Sequence, residues 1–304
     1  TVVLKPAETT SLTALHLAKL MQEIDLPPGV VNIVTGAGET GRMVATHSAV
    51  KKVAFTGSTD VGRQIMEELA PREIPLTLEL GGKSPTIVLA DADLDATMPL
   101  AARSIFMYGG QLCIGSSRFY VERSIYDEFL KRFAAIAGKA GMGDLRDPST
   151  VIAPIISERQ RNRVKQHIED AKAKGATIVA GGGWEGNRCQ ATILADVSEE
   201  MTVCRTETFG PVTSVYPIDS YEEGLERAND TEFGLSSAIY TKNLDKAFHF
   251  VQNIGAGMAH VNGPTVHDEA HIPFGGNGES GVGREGTDAD LEAMTEVKWV
   301  TIQL

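Results

Sequence analysis

Apolar, β-branched runs alternate with segments of helical period along most of the chain. Residues 2–4, 30–34, 53–55 and 76–80 are typical of strands, and residues 12–21, 40–46 and 60–69 of helices. Beyond Gly81 the pattern predicts strands at 86–89, 119–121, 212–216 and 238–240, and helices at 96–106, 126–140, 157–174, 221–228 and 244–253. Strands that alternate with helices predict βα units on a largely parallel sheet, so the expected fold class is α/β.

Two stretches near the end of the chain depart from this alternation. Residues 274–286 are rich in glycine and too irregular for a helix or a strand, which predicts a long ordered loop. Residues 297–302 alternate like a strand whose partner lies elsewhere in the chain or on another subunit. The glycine pair at Gly81 predicts a domain boundary.

The charge of the chain excludes several classes of partner. Its 304 residues include 40 acidic and 28 basic side chains, which gives a net charge of −12. Such a balance repels nucleic acid and anionic membranes. No apolar run approaches the roughly 18 residues of a membrane span, and the first residues do not resemble a signal peptide. We therefore expect a cytoplasmic protein, without a nucleic-acid or membrane partner, and a length that suits two domains.

The three cysteines indicate a lone thiol. They are odd in number and form no Cys-x-x-Cys pair, which argues against a disulfide framework and a zinc site. Cys113 lies among three glycines, whose small size would expose its sulfur as a nucleophile for a carbonyl carbon. Most free cysteines are buried structural residues, so both interpretations of Cys113 stay open on this evidence. For Cys189 and Cys204 we expect the structural role.

Glu79 is the candidate general base. It lies near the end of a leucine-rich strand, two residues before a glycine pair that leaves room for a substrate. A carboxylate at such a strand end is well placed to take a proton, although a solvent-facing strand residue would show the same pattern.

Several segments are candidates for holding a dinucleotide. Residues 36–41 match Gly-x-Gly-x-x-Gly, and Gly57 with Ser58 forms a rival phosphate-binding turn one βα unit later. A lysine and a carboxylate at Lys5 and Glu8 suit the two hydroxyls of a ribose, and the carboxylate would repel the 2′-phosphate of NADP. Ordinary helix caps and a solvated ion pair are the alternative interpretations.

An acid and an aromatic ring meet at a turn in Glu207-Thr208-Phe209-Gly210-Pro211. The Phe209 ring suits packing on a flat cofactor, and the Glu207 carboxylate suits a ribose hydroxyl. A plain turn accounts for the same residues.

Taken together, these motifs resemble the aldehyde dehydrogenase superfamily over all 304 residues. The pattern is Lys-Pro-Ala-Glu, Phe-Thr-Gly-Ser-Thr, Glu-Leu-Gly-Gly-Lys, Gly-Gln-x-Cys-x-x-x-x-Arg, Glu-x-Phe-Gly-Pro and Pro-Phe-Gly-Gly, followed by Ser-Gly-x-Gly-Arg-Glu. The resemblance implies that Cys113 is the nucleophile and that Glu79 activates the water that releases the product. It assigns the cofactor contacts to Lys5, Glu8, Gly57, Ser58, Gln160, Glu207 and Phe209.

The resemblance also implies an architecture and a reaction. It predicts part of a Rossmann-type dinucleotide domain at residues 1–80 and an α/β catalytic domain at 81–277. A loop and an oligomerisation strand are expected at 278–304. The reaction is the NAD-dependent oxidation of an aldehyde to a carboxylic acid through a thiohemiacetal and a thioester of the cysteine. NADP is less expected than NAD, no metal is needed, and the full-length form would be a homodimer or homotetramer.

Two departures from the family pattern matter. The family's oxyanion asparagine lies upstream of Lys-Pro-x-Glu, and this chain begins four residues before Lys5. We therefore expect that this asparagine, the first strands of the dinucleotide domain and the hairpin that pairs with the terminal strand are absent, as in the C-terminal portion of a larger enzyme. In addition, Asn277 and Gly278 follow Phe-Gly-Gly, where many relatives carry a lysine.

The substrate is inferred from residues 262–269, which resemble the branch that oxidises aromatic aldehydes such as salicylaldehyde, vanillin or benzaldehyde. A tunnel with Thr265, His267 and Phe274 would suit a flat ring. Two alternatives stay open: a CoA-acylating aldehyde dehydrogenase, and a catalytically incomplete fragment that acts only as a binding or oligomerisation unit.

Overall fold

The computed structural model describes residues 1–304, which fold into two compact units. The first comprises Thr1–Phe55 and Asp60–Thr77, and the second comprises Thr56–Thr59 and Leu78–Leu304. None of the helices combines the length and the apolar character that crossing a membrane requires. The division into three domains that the sequence predicted, at residues 1–80, 81–277 and 278–304, stays a prediction.

The first unit holds short strands and three helices. Its elements, two of which extend by one residue into the second unit, are β1 Val2–Leu4, α1 Ser11–Glu23, β2 Val31–Ile33, α2 Gly38–Thr46, β3 Val53–Thr56 and α3 Thr59–Leu69. Strands β1 and β2 pair in parallel, with Val2 opposite Val31 and Leu4 opposite Ile33. Each element lies where the sequence pattern predicted the same kind of element, with ends shifted by at most two residues.

The second unit contains most of the regular structure. After β4 at Leu76–Glu79, which begins in the first unit, its strands are β5 Pro85–Val88, β6 Arg118–Glu122, β7 Gly141–Met142, β8 Thr150–Ile152, β9 Thr177–Ala180, β10 Trp184–Glu185, β11 Arg188–Cys189, β12 Thr192–Ala195, β13 Val212–Ile218, β14 Phe233–Gly234, β15 Ser236–Tyr240, β16 Met258–Val261, β17 Asn277–Gly278 and β18 Gly281–Val282. Its helices are α4 Leu94–Phe106, α5 Tyr126–Ala137, α6 Glu158–Ala173, α7 Thr202–Arg205, α8 Tyr221–Asn229, α9 Leu244–Asn253 and α10 Thr287–Met294.

A seven-stranded sheet forms the centre of the second unit. Its order is β16-β15-β5-β6-β13-β12-β9, and every neighbouring pair is parallel except β12 with β9. Consecutive strand residues point to opposite faces, so Phe119 packs with Phe133 of α5 while Tyr120 packs in the cluster of Leu225 and Phe250 from α8 and α9. Helices therefore bury both faces, as a parallel sheet requires, and the predicted α/β class is confirmed.

The strand-like pattern at the end of the chain finds no partner within the chain, and a partner on another subunit stays a prediction. Residues 297–302 form no strand within this chain, and the Trp299 side chain is 91% exposed. A strand needs a hydrogen-bonded neighbour, and no other segment of the chain pairs with these residues. The predicted loop at 274–286 is irregular, as expected, but includes the two-residue strands β17 and β18.

Candidate active site

Glu79 lies at the end of β4, against the glycine-rich loop. The strand pairs antiparallel with β18, which places Glu79 opposite Gly281, and the Leu80 N–H donates to the Ser280 carbonyl at 2.9 Å. The Glu79 side chain is buried, and neither of its carboxyl oxygens has a hydrogen-bond partner. A Cβ at Gly275 would approach Glu79 Oε1 to 2.8 Å, so this glycine lets the loop close over the carboxyl group.

The surroundings of Glu79 bring its pKa into the range of a general base. Burial, and next the neighbouring Glu285 carboxylate, raise the pKa of Glu79 to about 8, while Arg284 opposes the shift. A group that titrates near neutral pH can both accept and return a proton during turnover. Sequence reasoning did not single out Glu285, although it ends the Ser-Gly-x-Gly-Arg-Glu motif, and its backbone bonds with Phe274 hold it beside Glu79.

Cys113 follows a sharply kinked turn at residues 107–110. Tyr108 and Gly109 adopt left-handed backbone angles there, with φ of 53° and 66°. A Cβ at Gly110 would overlap the Gly210 carbonyl, and a Cβ at Gly82 would overlap the carbonyl of Cys113 itself. The two glycines therefore let the cysteine loop pack directly on the neighbouring backbone, with Cys113 partly exposed.

Two carboxylates act on the Cys113 thiol. Burial, Glu207 and Glu79, in that order, raise the pKa of Cys113 to about 11, and the backbone N–H groups of Ile114 and Cys113 oppose the shift. The thiol consequently keeps its proton at neutral pH unless a base removes it. The structure thus places the predicted nucleophile, Cys113, within the electrostatic influence of the predicted base, Glu79, and of the cofactor candidate Glu207.

Glu207 is held by the turn that follows β4. Its Oε1 accepts the Gly82 N–H at 3.0 Å, and a Cβ at Gly81 would lie 3.0 Å from its Oε2. Burial raises the pKa of Glu207, whereas the bond from Gly82 and the charges of Arg163 and Lys83 lower it. The Gly81-Gly82 turn therefore holds this carboxylate in place through one hydrogen bond and close packing.

Gln160 and Phe209 meet in the same region. Phe209 has a φ of 52°, which is uncommon for a residue with a large side chain. Helix α6 begins under the cap of the Ser157 hydroxyl, and its Gln160 side-chain amide donates to the carbonyls of Thr208 and Phe209 at 2.7 and 2.9 Å. Gln160 therefore fixes the backbone beside the cofactor candidates Glu207 and Phe209.

The remaining cofactor candidates lie at two turns. Lys5 and Glu8 belong to the first unit, where the Lys5 side chain runs along Gly41 and Glu8 is exposed. Gly57 and Ser58 are exposed in the second unit, directly before the eleven residues of α3. The Gly57 N–H donates to the Glu79 carbonyl at 2.9 Å, so this turn is tied to the strand end that carries the candidate base.

The predicted substrate residues fall into three environments. Phe274 packs in an apolar cluster that contains Cys113, and the other members are Met107, Leu112, Ile114, Leu235, Met258 and Val266. Thr265 is fully buried, with its N–H bonded to Ser104 and its hydroxyl without a partner. His267 is exposed, and its ring packs edge to face on the His260 ring, with 5.7 Å between the ring centroids. Only Phe274 shares the cluster of the thiol.

The packing of Gly82 on Cys113 predicts a destabilised site in the Gly82→Ala variant. The added methyl group would overlap the Cys113 carbonyl, and such overpacking costs about 1–3 kcal/mol. We expect a lower free energy of unfolding in urea and slower alkylation of Cys113 by iodoacetamide. Gly138→Ala is the matched control, because its Cβ would meet only ordinary contacts at 3.4 Å or more. Equal stability of the two variants would contradict the proposed close packing.

Comparison with known proteins identifies the family of the chain. Residues 1–300 match the sequence profile of the aldehyde dehydrogenase family. Aldehyde dehydrogenase 1A1 of Oryctolagus cuniculus is 45% identical over an alignment 309 residues long, which covers 100% of this chain and 62% of that protein. The chain therefore belongs to the aldehyde dehydrogenase family, and it spans less than two thirds of the length of the curated relatives it matches.

Solved structures share the fold. An indole-3-acetaldehyde dehydrogenase of P. syringae, in complex with NAD⁺, superposes with a TM-score of 0.96 at 38% identity and covers 100% of this chain and 63% of that one. An NADP-dependent enzyme of E. coli gives a TM-score of 0.96 at 39% identity, with 100% and 64% coverage. The two names show that both cofactors occur among the structural relatives.

Proposed function

We propose that the protein is an NAD-dependent aldehyde dehydrogenase that oxidises an aromatic aldehyde to its carboxylic acid, with Cys113 as the nucleophile and Glu79 as the base. One observation carries the proposal: the carboxyl groups of Glu79 and Glu207 both raise the pKa of the Cys113 thiol, and Gly82, whose N–H donates to Glu207, packs directly on the Cys113 carbonyl. A nucleophile and a base that titrates near neutral pH are two of the groups that this chemistry requires.

The residues present fit a nicotinamide dinucleotide. The Glu207 carboxylate, held by the Gly82 N–H, could accept a hydrogen bond from a ribose hydroxyl. The exposed Gly57 turn lies at the N-terminus of α3, where backbone N–H groups favour the binding of phosphate. Lys5 and Glu8 would hold the adenosine ribose, and the Glu8 carboxylate would disfavour the 2′-phosphate of NADP. When bound, NAD accepts the hydride that the oxidation releases.

The first chemical step belongs to Cys113. Its thiol loses a proton to Glu79, and the thiolate then attacks the aldehyde carbon to form a thiohemiacetal. The backbone N–H of Cys113, which already favours the thiolate, would also stabilise the new oxyanion. Departure of the hydride leaves a thioester on the sulfur.

The second step belongs to Glu79. Once it has released to the solvent the proton taken from Cys113, its carboxylate removes a proton from a water molecule that attacks the thioester carbon. The carbon–sulfur bond then breaks, the carboxylic acid leaves, and the Cys113 thiolate is restored. The burial that raises the pKa of Glu79 keeps its basicity high enough for this task.

The side chains around the thiol support an aromatic substrate. Apart from Cys113 itself, the members of its cluster are all apolar, with the Phe274 ring and the Met107 and Met258 thioethers among them. Aromatic and sulfur-containing side chains favour contact with a flat ring.

The proposal predicts that the purified chain reduces NAD when benzaldehyde is added. We expect NADH and benzoate in equal amounts, a higher rate with NAD than with NADP, and a kcat/KM for benzaldehyde at least about tenfold above that for acetaldehyde. NADH absorbance and chromatography of the acid provide the measurements.

The same assay decides between the alternatives. Formation of benzoyl-CoA when CoA is added would contradict the hydrolytic role of Glu79 and identify an acylating enzyme. No NADH with any aldehyde would contradict catalysis by this chain and favour a binding or oligomerisation unit. A preference for acetaldehyde would overturn the aromatic assignment alone.

A further inference from the structure

His167 and Thr208 are two buried polar side chains that the proposed chemistry does not use. They are 5% and 2% exposed, and a hydrogen bond of 3.0 Å joins His167 Nδ1 to Thr208 Oγ1. Burial is the first cause that lowers the pKa of His167, to about 4, so its imidazole is uncharged at neutral pH. Because either group without the other would lie unpaired in the interior, the bond fixes the position of both side chains.

Helix α6 carries His167 on a row of three residues that all contact segment 208–210. Gln160, Val164 and His167 have the spacing i, i+4 and i+7, which places them on one face of the helix. The Gln160 amide donates to two carbonyls of the segment, and a Cβ at Gly210 would approach Val164 Cγ2 to 2.6 Å. Within this row, His167 is the residue that bonds a side chain of the segment.

Phe209, at the centre of this segment, has a backbone conformation that needs support. Its φ of 52° is in the left-handed region, where a residue with a large side chain stays only if its surroundings hold it. Gln160 bonds the Phe209 carbonyl, and His167 anchors the preceding residue through the Thr208 hydroxyl. Loss of this anchor would let Phe209 relax toward negative φ and carry its ring to another position.

We propose that His167 is a positioning residue of the cofactor site, which holds Phe209 in its left-handed conformation through the Thr208 hydroxyl and so keeps the ring in place to pack on the dinucleotide. The contribution to NAD binding rests on the proposed function, whereas the anchoring of segment 208–210 does not. His167 acts only through Thr208 and takes no part in the chemical steps.

The Thr208→Val variant tests this role, since valine keeps the shape of the side chain and removes the hydroxyl. Hydrogen exchange of the backbone amides of segment 208–210, followed by mass spectrometry, should become about tenfold faster. The dissociation constant of NAD, measured by calorimetry, should rise about tenfold, and the KM for NAD should change more than kcat. His167→Leu should produce the same changes, whereas Thr208→Ser, which keeps the hydroxyl, should restore the values of the unsubstituted chain.

His249→Leu is the matched control, because it removes a similar bond of 2.7 Å, between His249 Nδ1 and the Tyr221 hydroxyl, that joins α9 to α8. It should change neither the exchange of segment 208–210 nor the affinity for NAD. The double variant of His167→Leu and Thr208→Val should bind NAD no more weakly than the weaker single variant, because both changes break the same bond.

Three results would overturn the proposal. They are unchanged exchange in Thr208→Val, unchanged NAD affinity of that variant in a chain that binds NAD, and separate losses that multiply in the double variant. If His167→Leu does not fold, the comparison of Thr208→Val with Thr208→Ser decides alone: equal exchange in these two variants would show that the hydroxyl anchors nothing.

Hydrogen exchange needs neither NAD nor turnover, so the two proposals fail separately. Faster exchange in Thr208→Val, in a chain that binds no NAD and oxidises no aldehyde, would contradict the proposed function and leave the anchoring of Phe209 in place. NAD-dependent turnover with unchanged exchange in Thr208→Val would contradict the role of His167 alone.

Discussion

Cys113→Ser should lower the rate of aldehyde oxidation by at least about 10³-fold, because a serine hydroxyl is a far weaker nucleophile than a thiolate at the same pH. Burial and two carboxylates already hold the pKa of the Cys113 thiol near 11. They would make removal of the serine proton harder still. The loss should appear in kcat, measured from NADH formation at saturating aldehyde.

Cys189→Ser is the control for this experiment. Cys189 is fully buried and outside the catalytic cluster, so its replacement should leave kcat within about threefold while costing some stability. Wild-type turnover by Cys113→Ser would exclude the thiol as the nucleophile and, with it, the thioester route.

Glu79→Gln should lower steady-state turnover by about 10²–10⁴-fold, the usual contribution of a general base. Glutamine keeps the size of the side chain but cannot accept the proton of the water. We expect thioester to accumulate on Cys113, visible as an acylated chain by mass spectrometry. A variant with full turnover and no acylated chain would contradict the assignment of Glu79.

Glu79 should also make stability depend on pH. The folded pKa of about 8 lies above the ordinary 4.5, so folding favours the protonated form. The corresponding stability is complete below about pH 4.5 and is lost as the pH rises toward 8. Glu79→Gln should therefore gain stability relative to the unsubstituted chain between these values, whereas Glu226→Gln, on the exposed side of α8, should not. Urea unfolding at several pH values measures this difference.

The regular elements of the chain were predictable where the pattern was long and strong. Helices α1, α3 and α9 lie where their apolar spacing placed them. Strands β9 and β12 escaped prediction, because Thr177–Ala180 and Thr192–Ala195 are short runs that gain their strand form from neighbours distant in sequence. Residues 297–302 have a strand-like pattern but no partner within this chain, so the strand expected there stays a prediction.

The candidate site was predictable as a set of motifs, but its electrostatics were not. The order of the motifs pointed to Cys113, Glu79 and Glu207 together. Sequence alone gave no measure of burial, which is the first cause of every large pKa shift in the site. For that reason Glu285, which lies inside a quoted motif, gained a role only from the structure.

The hydrogen bonds of Arg118 constrain substitution at position 118 during evolution much more than at most of the positions that accept them. The guanidinium of this buried arginine donates to the main-chain carbonyls of Lys83, Arg227 and Ala228, and to one side chain, the hydroxyl of Tyr120. Main-chain oxygens are present whatever side chain a residue carries, so drift at those three positions would leave these bonds intact. Position 118 itself has no such freedom, because only an arginine presents several donors in this fixed fork.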